Sequence, residues 1–278
     1  MERFKCLISF IRGFIFKKRR EIKWALDRIK IRKATLPVNV ISIEHDASFL
    51  ILMPHSDDEW IGCSQILMHF PHITICNLDM QGGDSDEIHE KRYEESLSLS
   101  RRFGGKHITY KTDKTLLLAD YLKNERPQYV LLPFFFDWHS EHIEVMNLLR
   151  GALNGVQQKC NIMMYQISVP FPSRFCNFCM PMSKKEQAMK WSIFNSTYKT
   201  QNFMPVKRFM ANEIINGGYC NSYSAEVFSC CKSDEWLKMY DNMLLDDCER
   251  HELKNILNSI SKIRQLVEDI AINRKEIL

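Results

Sequence analysis

Short apolar runs that alternate with helical segments between residues 38 and 170 constrain the fold of this chain most strongly. Several runs are continuously apolar, which is typical of parallel strands buried on both faces. The segments between them have the spacing of amphipathic helices. This succession predicts a doubly wound, Rossmann-like α/β fold with a mostly parallel sheet and helices on both faces. The predicted strands are 38–43, 49–53, 73–78, 107–110, 129–133 and 162–167, with helices at 86–103 and 142–158.

The pattern divides the chain into three parts. A basic amphipathic segment (1–36) precedes the α/β domain (37–232), and a C-terminal helical extension (233–278) follows it. Residues 171–228 are less regular and are predicted to cover one edge of a site. From Leu253 to Ile270, apolar residues recur at steps of three and four. This stripe predicts a terminal helix that either docks on the domain or forms a homo-oligomer through residues 253–270.

The N-terminal segment is strongly basic. Residues 1–40 contain twelve Lys and Arg and three acidic residues, a local charge of +9 that leaves −5 on the other 238. Apolar residues from Phe4 to Ile15 fall on one helical face, in a stretch too short to cross a bilayer. The helix is predicted either to pack on the domain or to contact an anionic membrane through residues 1–20. The acidic remainder gives no footprint for nucleic acid.

The ten cysteines follow no disulfide framework, and the chain shows no cleavable signal. This predicts a reducing, cytoplasmic location, peripheral at the inner membrane face if the basic helix binds lipid. Cys176 and Cys179 form a single C-x-x-C motif. Because a structural zinc site needs a second pair of ligands, these residues are interpreted as ordinary buried cysteines.

Two polar clusters follow two of the predicted strands. Residues 54–59 read Pro-His-Ser-Asp-Asp-Glu, and residues 137–142 read Asp-Trp-His-Ser-Glu-His. Ligands of open α/β sheets bind at the carboxyl ends of the strands, so both clusters are expected in one crevice. Histidine and carboxylate together are the ligand set of a catalytic metal site. One helical turn would place His55 and Asp58 on the same face, with Asp57 between them.

These residues resemble the LmbE/PIG-L family of metal-dependent N-deacetylases, which act on N-acetylated amino sugars and their conjugates. The family motif His-Pro-Asp-Asp-Glu stands here as His-Ser-Asp-Asp-Glu (55–59), and the motif His-x-x-His stands at 139–142. Ser56, Ser140 and Glu141 replace Pro, Pro and Asp, which removes rigidity from the two loops. Weaker agreement lies at Gln81-Gly82-Gly83, Arg92-x-x-Glu95, Phe103-Gly104, Tyr198-Lys199-Thr200-Gln201 and residues 223–228.

The resemblance implies a role for each residue of the two motifs. His55, Asp58 and His142 would bind zinc, or another divalent metal such as Fe²⁺, and Asp57 would be the general base. Zinc lowers the pKa of water to about 7 and polarises a carbonyl. His139 would stabilise the oxyanion or protonate the leaving amine. The implied reaction releases acetate from an N-acetylated sugar or glycoconjugate in glycan or glycolipid biosynthesis.

Three further residues are candidate substrate contacts. Trp60 and Trp138 flank the two motifs, and their rings would either stack on a sugar or belong to the core. Arg92 would either meet a substrate phosphate or hydroxyl group or be a solvated helix residue.

Two other interpretations remain open. His55 and Asp57 with a distant histidine also match the facial triad of non-haem iron oxygenases, although those sites typically lie in β-barrels. The two enzymes differ in whether Asp58 or Asp57 contacts the metal. The third interpretation is a non-catalytic scaffold at a membrane surface that keeps the fold.

Overall fold

The computed structural model describes residues 15, 18–19, 21–29, 43–80, 83–156 and 159–274. Its seven-stranded, mostly parallel sheet with surrounding helices confirms the predicted α/β fold. Phe4 and residues 38–42 of the first predicted strand lie outside the described residues, as do Gln81 and Gly82. The strands are β1 (Ser48–Met53), β2 (His72–Asn77), β3 (Lys106–Thr109), β4 (Tyr129–Pro133), β5 (Asn161–Tyr165), β6 (Phe178–Met182) and β7 (Ser224–Lys232).

The strand order is β3-β2-β1-β4-β5-β7-β6. The first five strands of this order are parallel, whereas β7 runs antiparallel to both β5 and β6. The chain moves from β1 outward to β3 and then returns to β4 on the other side of β1. The neighbours β1 and β4 therefore form a topological switch point, where open α/β sheets bind ligands.

Helices cover both faces of the sheet. No helix among the described residues is long and apolar enough to cross a membrane. Residues 21–29 form α1. The following helices are α2 (Asp58–His69), α3 (Asp86–Arg102), α4 (Lys114–Glu125), α5 (Ser140–Asn154), α6 (Lys184–Thr197), α7 (Val206–Asn216), α8 (Ser233–Met243), α9 (Asp247–Ile256) and α10 (Ile260–Asn273).

The core consists of two apolar layers, one on each face of the sheet, because successive strand residues point to opposite faces. In β1, Leu50 and Leu52 belong to one layer, while Phe49, Ile51 and Met53 belong to the other. The first layer includes α4, α5 and α8 to α10, and the second includes α2, α3 and α6. All five of these β1 side chains are buried, as the continuous apolar run predicts.

The prediction of irregular structure at 171–228 was wrong. This segment forms α6, α7, β6 and most of β7, and so completes the sheet. Pro181 lies in β6, at the edge of the sheet, where proline is tolerated because one side of the strand has no partner to bond.

The apolar stripe near the C-terminus belongs to two helices rather than one. Residues 257–259 separate α9 from α10. Leu253, Ile263 and Val267 are buried in the first apolar layer, so the stripe docks on the chain's own core. The homo-oligomer through residues 253–270 stays a prediction.

A fully buried lysine joins α6 to the sheet strand β7. The Nζ atom of Lys190 lies 2.7 Å from Glu213 and 2.6 Å from Glu226, and donates to the carbonyl oxygen of Ile61 at 2.7 Å. Burial disfavours the charge, but the two carboxylates outweigh it and raise the pKa of Lys190. Glu226 also accepts from the backbone of Ser64, beside a break in α2. The buried cation of α6 thus links three other elements, α2, α7 and β7.

We expect Lys190→Met to destabilise the protein by about 3–5 kcal/mol, because two buried carboxylates would lose their cation. Urea unfolding at pH 8 would measure this loss. The deficit should shrink as the pH falls, since the unpaired carboxyls take up protons more readily in the folded state. Lys185→Met on the exposed side of α6 is the matched control, with an expected change within about 0.5 kcal/mol. Equal stabilities of the two variants would contradict a role for the buried pair.

Candidate metal centre

The two polar clusters lie at the switch point of the sheet. The first cluster follows β1 and leads into α2, which begins at Asp58. The second follows β4 and leads into α5, whose N-cap is His139. Because β1 and β4 are paired, parallel neighbours, their carboxyl ends bring both clusters into one crevice.

The Asp58 carboxylate lies between two imidazole rings. Its Oδ2 atom is 3.3 Å from Nδ1 of His55 and 3.5 Å from Nε2 of His142. All three side chains are buried. The three predicted ligands therefore lie together at the carboxyl ends of β1 and β4. Two imidazole nitrogens and a carboxylate oxygen are donors that zinc and Fe²⁺ both accept.

The opposite nitrogen of each ring faces a second carboxylate. Nε2 of His55 lies 2.5 Å from Oε2 of Glu141, and Nδ1 of His142 lies 3.0 Å from Oδ2 of Asp137. Metal-binding histidines almost always have such an outer partner, which fixes the ring orientation and the tautomer. The outer carboxylates, like the three inner donors, therefore fit the arrangement of a metal centre. Sequence reasoning assigned no role to Asp137 or Glu141, although both stand in the second cluster.

The charges of the cluster shift one another. Burial alone would lower the pKa of His55, but Asp58 and Glu141 outweigh it and raise it to about 9. Burial likewise opposes the charge of His142, yet Asp137 and Asp58 raise its pKa well above the usual value. Burial would raise the pKa of Asp58, but both histidines hold it far below its ordinary value. The carboxylates thus stabilise positive charge in the crevice, whether carried by protons or by a cation.

His139 belongs to the same group but differs in its hydrogen bonding. His55, His139 and His142 each offer a nitrogen within 4.8 Å of the other two, so the group could hold a metal ion. Nδ1 of His139 accepts from the Glu141 amide at 3.3 Å, which leaves the ring proton on Nε2. Burial and the two neighbouring histidines lower the pKa of His139 to about 4. At neutral pH, His139 is therefore an uncharged hydrogen-bond donor.

Asp57 lies beside the three donors. Its amide donates to Oε2 of Glu59 at 2.9 Å, and its Oδ1 atom is 3.6 Å from Nη2 of Arg92. Burial, together with the charge of Asp58, raises the pKa of Asp57 well above its usual value, against the opposing effect of Arg92. A carboxylate with a raised pKa is a stronger base, which suits proton abstraction.

Glu59 connects Asp57 to the body of the protein. Its Oε1 atom accepts from the hydroxyls of Tyr198 at 2.6 Å and Ser96 at 2.5 Å. Burial raises the pKa of Glu59 to about 7. Thr200 donates to Glu95 through its amide at 3.0 Å and its hydroxyl at 2.6 Å. Glu95, Tyr198 and Thr200 belong to the stretches that agree more weakly with the family motifs. Their hydrogen bonds brace α3 and the first cluster.

Arg92 is not a solvated helix residue, because its side chain is only 13% exposed. Its guanidinium forms an ion pair with Asp84 and lies beside Asp57. The Gln201 side-chain oxygen, in the amide orientation that fits its neighbours, also accepts from it. Arg92 therefore contacts the proposed base, and its role toward substrate stays a prediction.

The two tryptophans occupy different environments. Trp60 is 0% exposed, stacks on Phe103 at 5.0 Å and donates through Nε1 to the Lys190 carbonyl at 2.9 Å. Its ring belongs to the core and does not face a substrate, which corrects the predicted stacking role. Trp138 is partly exposed, and Nζ of Lys254 lies 5.1 Å from its ring.

A hydrogen bond restrains the first cluster at Ser56, the position where the family motif has proline. Nδ2 of Asn77, at the end of β2, donates to Oγ of Ser56 at 3.4 Å. The Asn77 side-chain oxygen accepts from the Asp79 amide at 2.8 Å, where the backbone takes a positive φ of 51°. The adjacent strand thus restrains the loop that holds His55.

Two cavities meet at Glu141, at the start of α5. One, of about 450 Å³, lies between the second cluster and α9, and the other, of about 540 Å³, lies on the side of α3 and α4. Both volumes fall in the range of small-molecule sites. The first cavity includes Trp138, His139, Arg250 and Lys254, and the second includes Asp79, His89 and Lys114.

No protein-family profile matches the chain, and no curated protein matches it in sequence. Among solved structures, a conserved protein of Thermus thermophilus is 22% identical, with a TM-score of 0.53 over 66% of this chain and 94% of that one. The N,N'-diacetylchitobiose deacetylase of Pyrococcus horikoshii is 16% identical, with a TM-score of 0.49 over 66% and 83% of the two chains. The 4-carboxy-2-hydroxymuconate hydratase of Pseudomonas putida is 13% identical, with a TM-score of 0.48 over 66% and 95%. The likeness to the Thermus protein shows the fold, and the reaction must be argued from the site.

Proposed function

We propose that the chain is a metal-dependent N-deacetylase that releases acetate from an N-acetylated amino sugar or glycoconjugate, in glycan or glycolipid assembly. The observation that carries the proposal is the Asp58 carboxylate between Nδ1 of His55 and Nε2 of His142, with Asp57 alongside. The resemblance of residues 55–59 and 139–142 to the deacetylase motifs supports it. Zinc, or another divalent metal such as Fe²⁺, is the cofactor that this donor set suits.

A divalent metal bound by His55, Asp58 and His142 would polarise the acetamide carbonyl and lower the pKa of water. Asp57 accepts a proton from the water that adds to the carbonyl carbon. His139 donates from Nε2 to the developing oxyanion, as its tautomer allows. The C–N bond then breaks, and Asp57 passes the proton that it took from the water to the amine nitrogen, while His139 keeps its Nε2 proton. The products are acetate and the free amine.

The iron-oxygenase interpretation requires Asp57 as the carboxylate ligand, since its motif is His-x-Asp. Two contacts disfavour it: Asp58 rather than Asp57 lies between the two imidazoles, and the Asp57 carboxylate pairs with Arg92. The α/β sheet also differs from the β-barrels that typically carry such triads.

Acetate release tests the proposal directly. The zinc- or Fe²⁺-loaded protein would be incubated with free, nucleotide-linked and lipid-linked N-acetylhexosamines, and acetate and new primary amine would be measured together. We expect both products in equal amounts from at least one class, and neither after chelation of the metal. Oxygen consumption without acetate would favour the oxygenase. A metal-loaded protein that acts on no member of the panel would favour the scaffold interpretation.

A further inference from the structure

Helix α1 is anchored to the domain through the face that carries Trp24, Asp27 and Arg28. Trp24 packs against the first apolar layer, and the Ser261 hydroxyl donates to Oδ2 of Asp27 at 2.6 Å. The Arg28 guanidinium donates to the carbonyl oxygen of Ser222. These contacts with α10 and with the turn before β7 fix the rotation of the helix about its axis. They therefore also fix which side chains it presents outward.

The opposite face of the helix is apolar and exposed. Ile22, Leu26 and Ile29 are 60%, 53% and 49% exposed. Their spacing of four and three residues places them along one side of α1. We call these three residues the outer stripe. An aligned set of branched apolar side chains differs from the scattered exposed residues normal on soluble proteins.

A large cavity with cationic walls lies beside the outer stripe. It has a volume of about 920 Å³ and lies between α1 and the starts of α7 and α10. Arg19 and Lys23 line it from the α1 side, and Lys207 and Arg208 line it from α7. Its described lining contains no carboxylate. We call it the basic cavity.

The lining of the basic cavity combines cations with apolar side chains, which suits a ligand that carries an anionic group on an apolar body. Met204, Val206 and Ile260 contribute apolar wall between the cations. Nε of Arg208 is buried and has no hydrogen-bond partner among the described residues. A phosphate head group with attached hydrocarbon matches both parts of this lining, since phosphate accepts charge-assisted hydrogen bonds from Arg and Lys.

We propose that the outer stripe and the basic cavity together dock the protein on the surface of a bilayer that contains anionic phospholipid. The stripe enters the interface, and the cavity receives phosphate head groups. The local charge of +9 over residues 1–40 favours this partner, because anionic membranes attract basic segments beside an apolar face. A symmetric pairing of two copies is disfavoured, since it would bring the same cations together. The proposal does not depend on the deacetylase reaction.

Vesicle co-sedimentation of the full chain tests the proposal. Vesicles of phosphatidylglycerol and phosphatidylcholine would be compared with vesicles of phosphatidylcholine alone. We expect at least about tenfold stronger binding to the anionic vesicles, since each cation near such a surface contributes about fivefold. Binding should weaken as NaCl rises, because salt shortens the range of the electrostatic attraction.

Two sets of variants separate the contributions of the stripe and the cavity. Ile22→Gln/Leu26→Gln/Ile29→Gln removes apolar contact at exposed positions, and Lys23→Glu/Lys207→Glu reverses two cavity charges. Each set should weaken binding to anionic vesicles at least about tenfold. The matched controls are Leu116→Gln/Ile272→Gln, at apolar positions 64% and 60% exposed, and Lys123→Glu/Lys238→Glu, at exposed lysines. Both controls should bind within about twofold of the unmodified protein.

Three results would overturn the proposal. Equal binding to neutral and anionic vesicles would overturn the electrostatic attraction, and unchanged binding of either variant set would overturn the joint role of the stripe and the cavity. Light scattering supplies the third: if the unmodified chain is a dimer and the stripe variant a monomer, the stripe is a contact between copies. Circular dichroism of each variant confirms that it is folded, and the two variant sets alter different residues, so either one alone can fail the proposal.

Discussion

Replacement of Asp57 by asparagine is expected to lower the rate of acetate release by about 10²-fold or more, with folding and metal content unchanged. Asparagine has the same shape but cannot accept the proton of the attacking water. Asp57 contacts Arg92 and the Glu59 side chain, but does not lie between the histidines as Asp58 does. The measurements are the steady-state rate, the bound metal per chain and the unfolding midpoint.

Two other variants show which part of the rate loss comes from the proton acceptor itself. Asp84→Asn makes the same chemical change at the other carboxylate of Arg92, so it reports how much of the loss comes through Arg92. His139→Ala should keep the metal and lose rate, because His139 donates to the oxyanion and is not an assigned ligand. If Asp57→Asn loses the metal while Asp58→Asn keeps it, the ligand pattern is His-x-Asp. The iron-oxygenase interpretation would then replace the deacetylase.

The sequence predicts the parallel half of the fold well because its strands are buried on both faces. A continuous apolar run such as residues 49–53 has few alternative structures, and β1 spans Ser48–Met53. The rule that ligands bind beyond the carboxyl ends of strands then brings His55 and His142 together without any knowledge of contacts. Both inferences use local patterns together with one topological rule.

The same reasoning misses the other part of the sheet because distant partners decide its structure. Glu226 is a buried carboxylate within β7, and its charge is paired with that of Lys190, 36 positions earlier. Pro181 argues against a strand until β6 is known to lie at an edge. Neither the pairing nor the edge position can be read from the residues nearby.

The outer carboxylates of the metal centre show a similar limit. Asp137 and Glu141 are visible in the second cluster, but their roles depend on which ring nitrogen each one faces. Side-chain direction follows from the packing of α5 against the strand ends, which spacing alone does not determine. The structure also separates Trp60 from Trp138, since one is in the core and the other lines a cavity.

Replacement of His142 by alanine is expected to abolish tight metal binding, and activity with it. His142 is one of three inner donors, and its loss leaves Asp58 and His55 to hold the ion. The readout besides activity is thermal stability. A metal at 100 times its Kd stabilises the folded state by about 2.7 kcal/mol, so added zinc should raise the unfolding temperature of the unmodified protein but not of His142→Ala. Zinc at a much higher concentration, sufficient to occupy the weakened site, should partly restore the activity of His142→Ala.

A graded series distinguishes a ligand from its support. Asp137→Asn keeps the shape beside Nδ1 of His142 but removes the carboxylate, so metal affinity should fall by about 10–100-fold rather than vanish. His72→Ala makes the same kind of change as His142→Ala, but at an exposed position at the amino end of β2, far from the carboxyl ends of the strands. It should leave affinity unchanged. If His142→Ala binds zinc as tightly as His72→Ala does, the ion is not held at this crevice. The metal ligands would then be residues other than His55, Asp58 and His142, and the role of Asp57 as proton acceptor would lose its support.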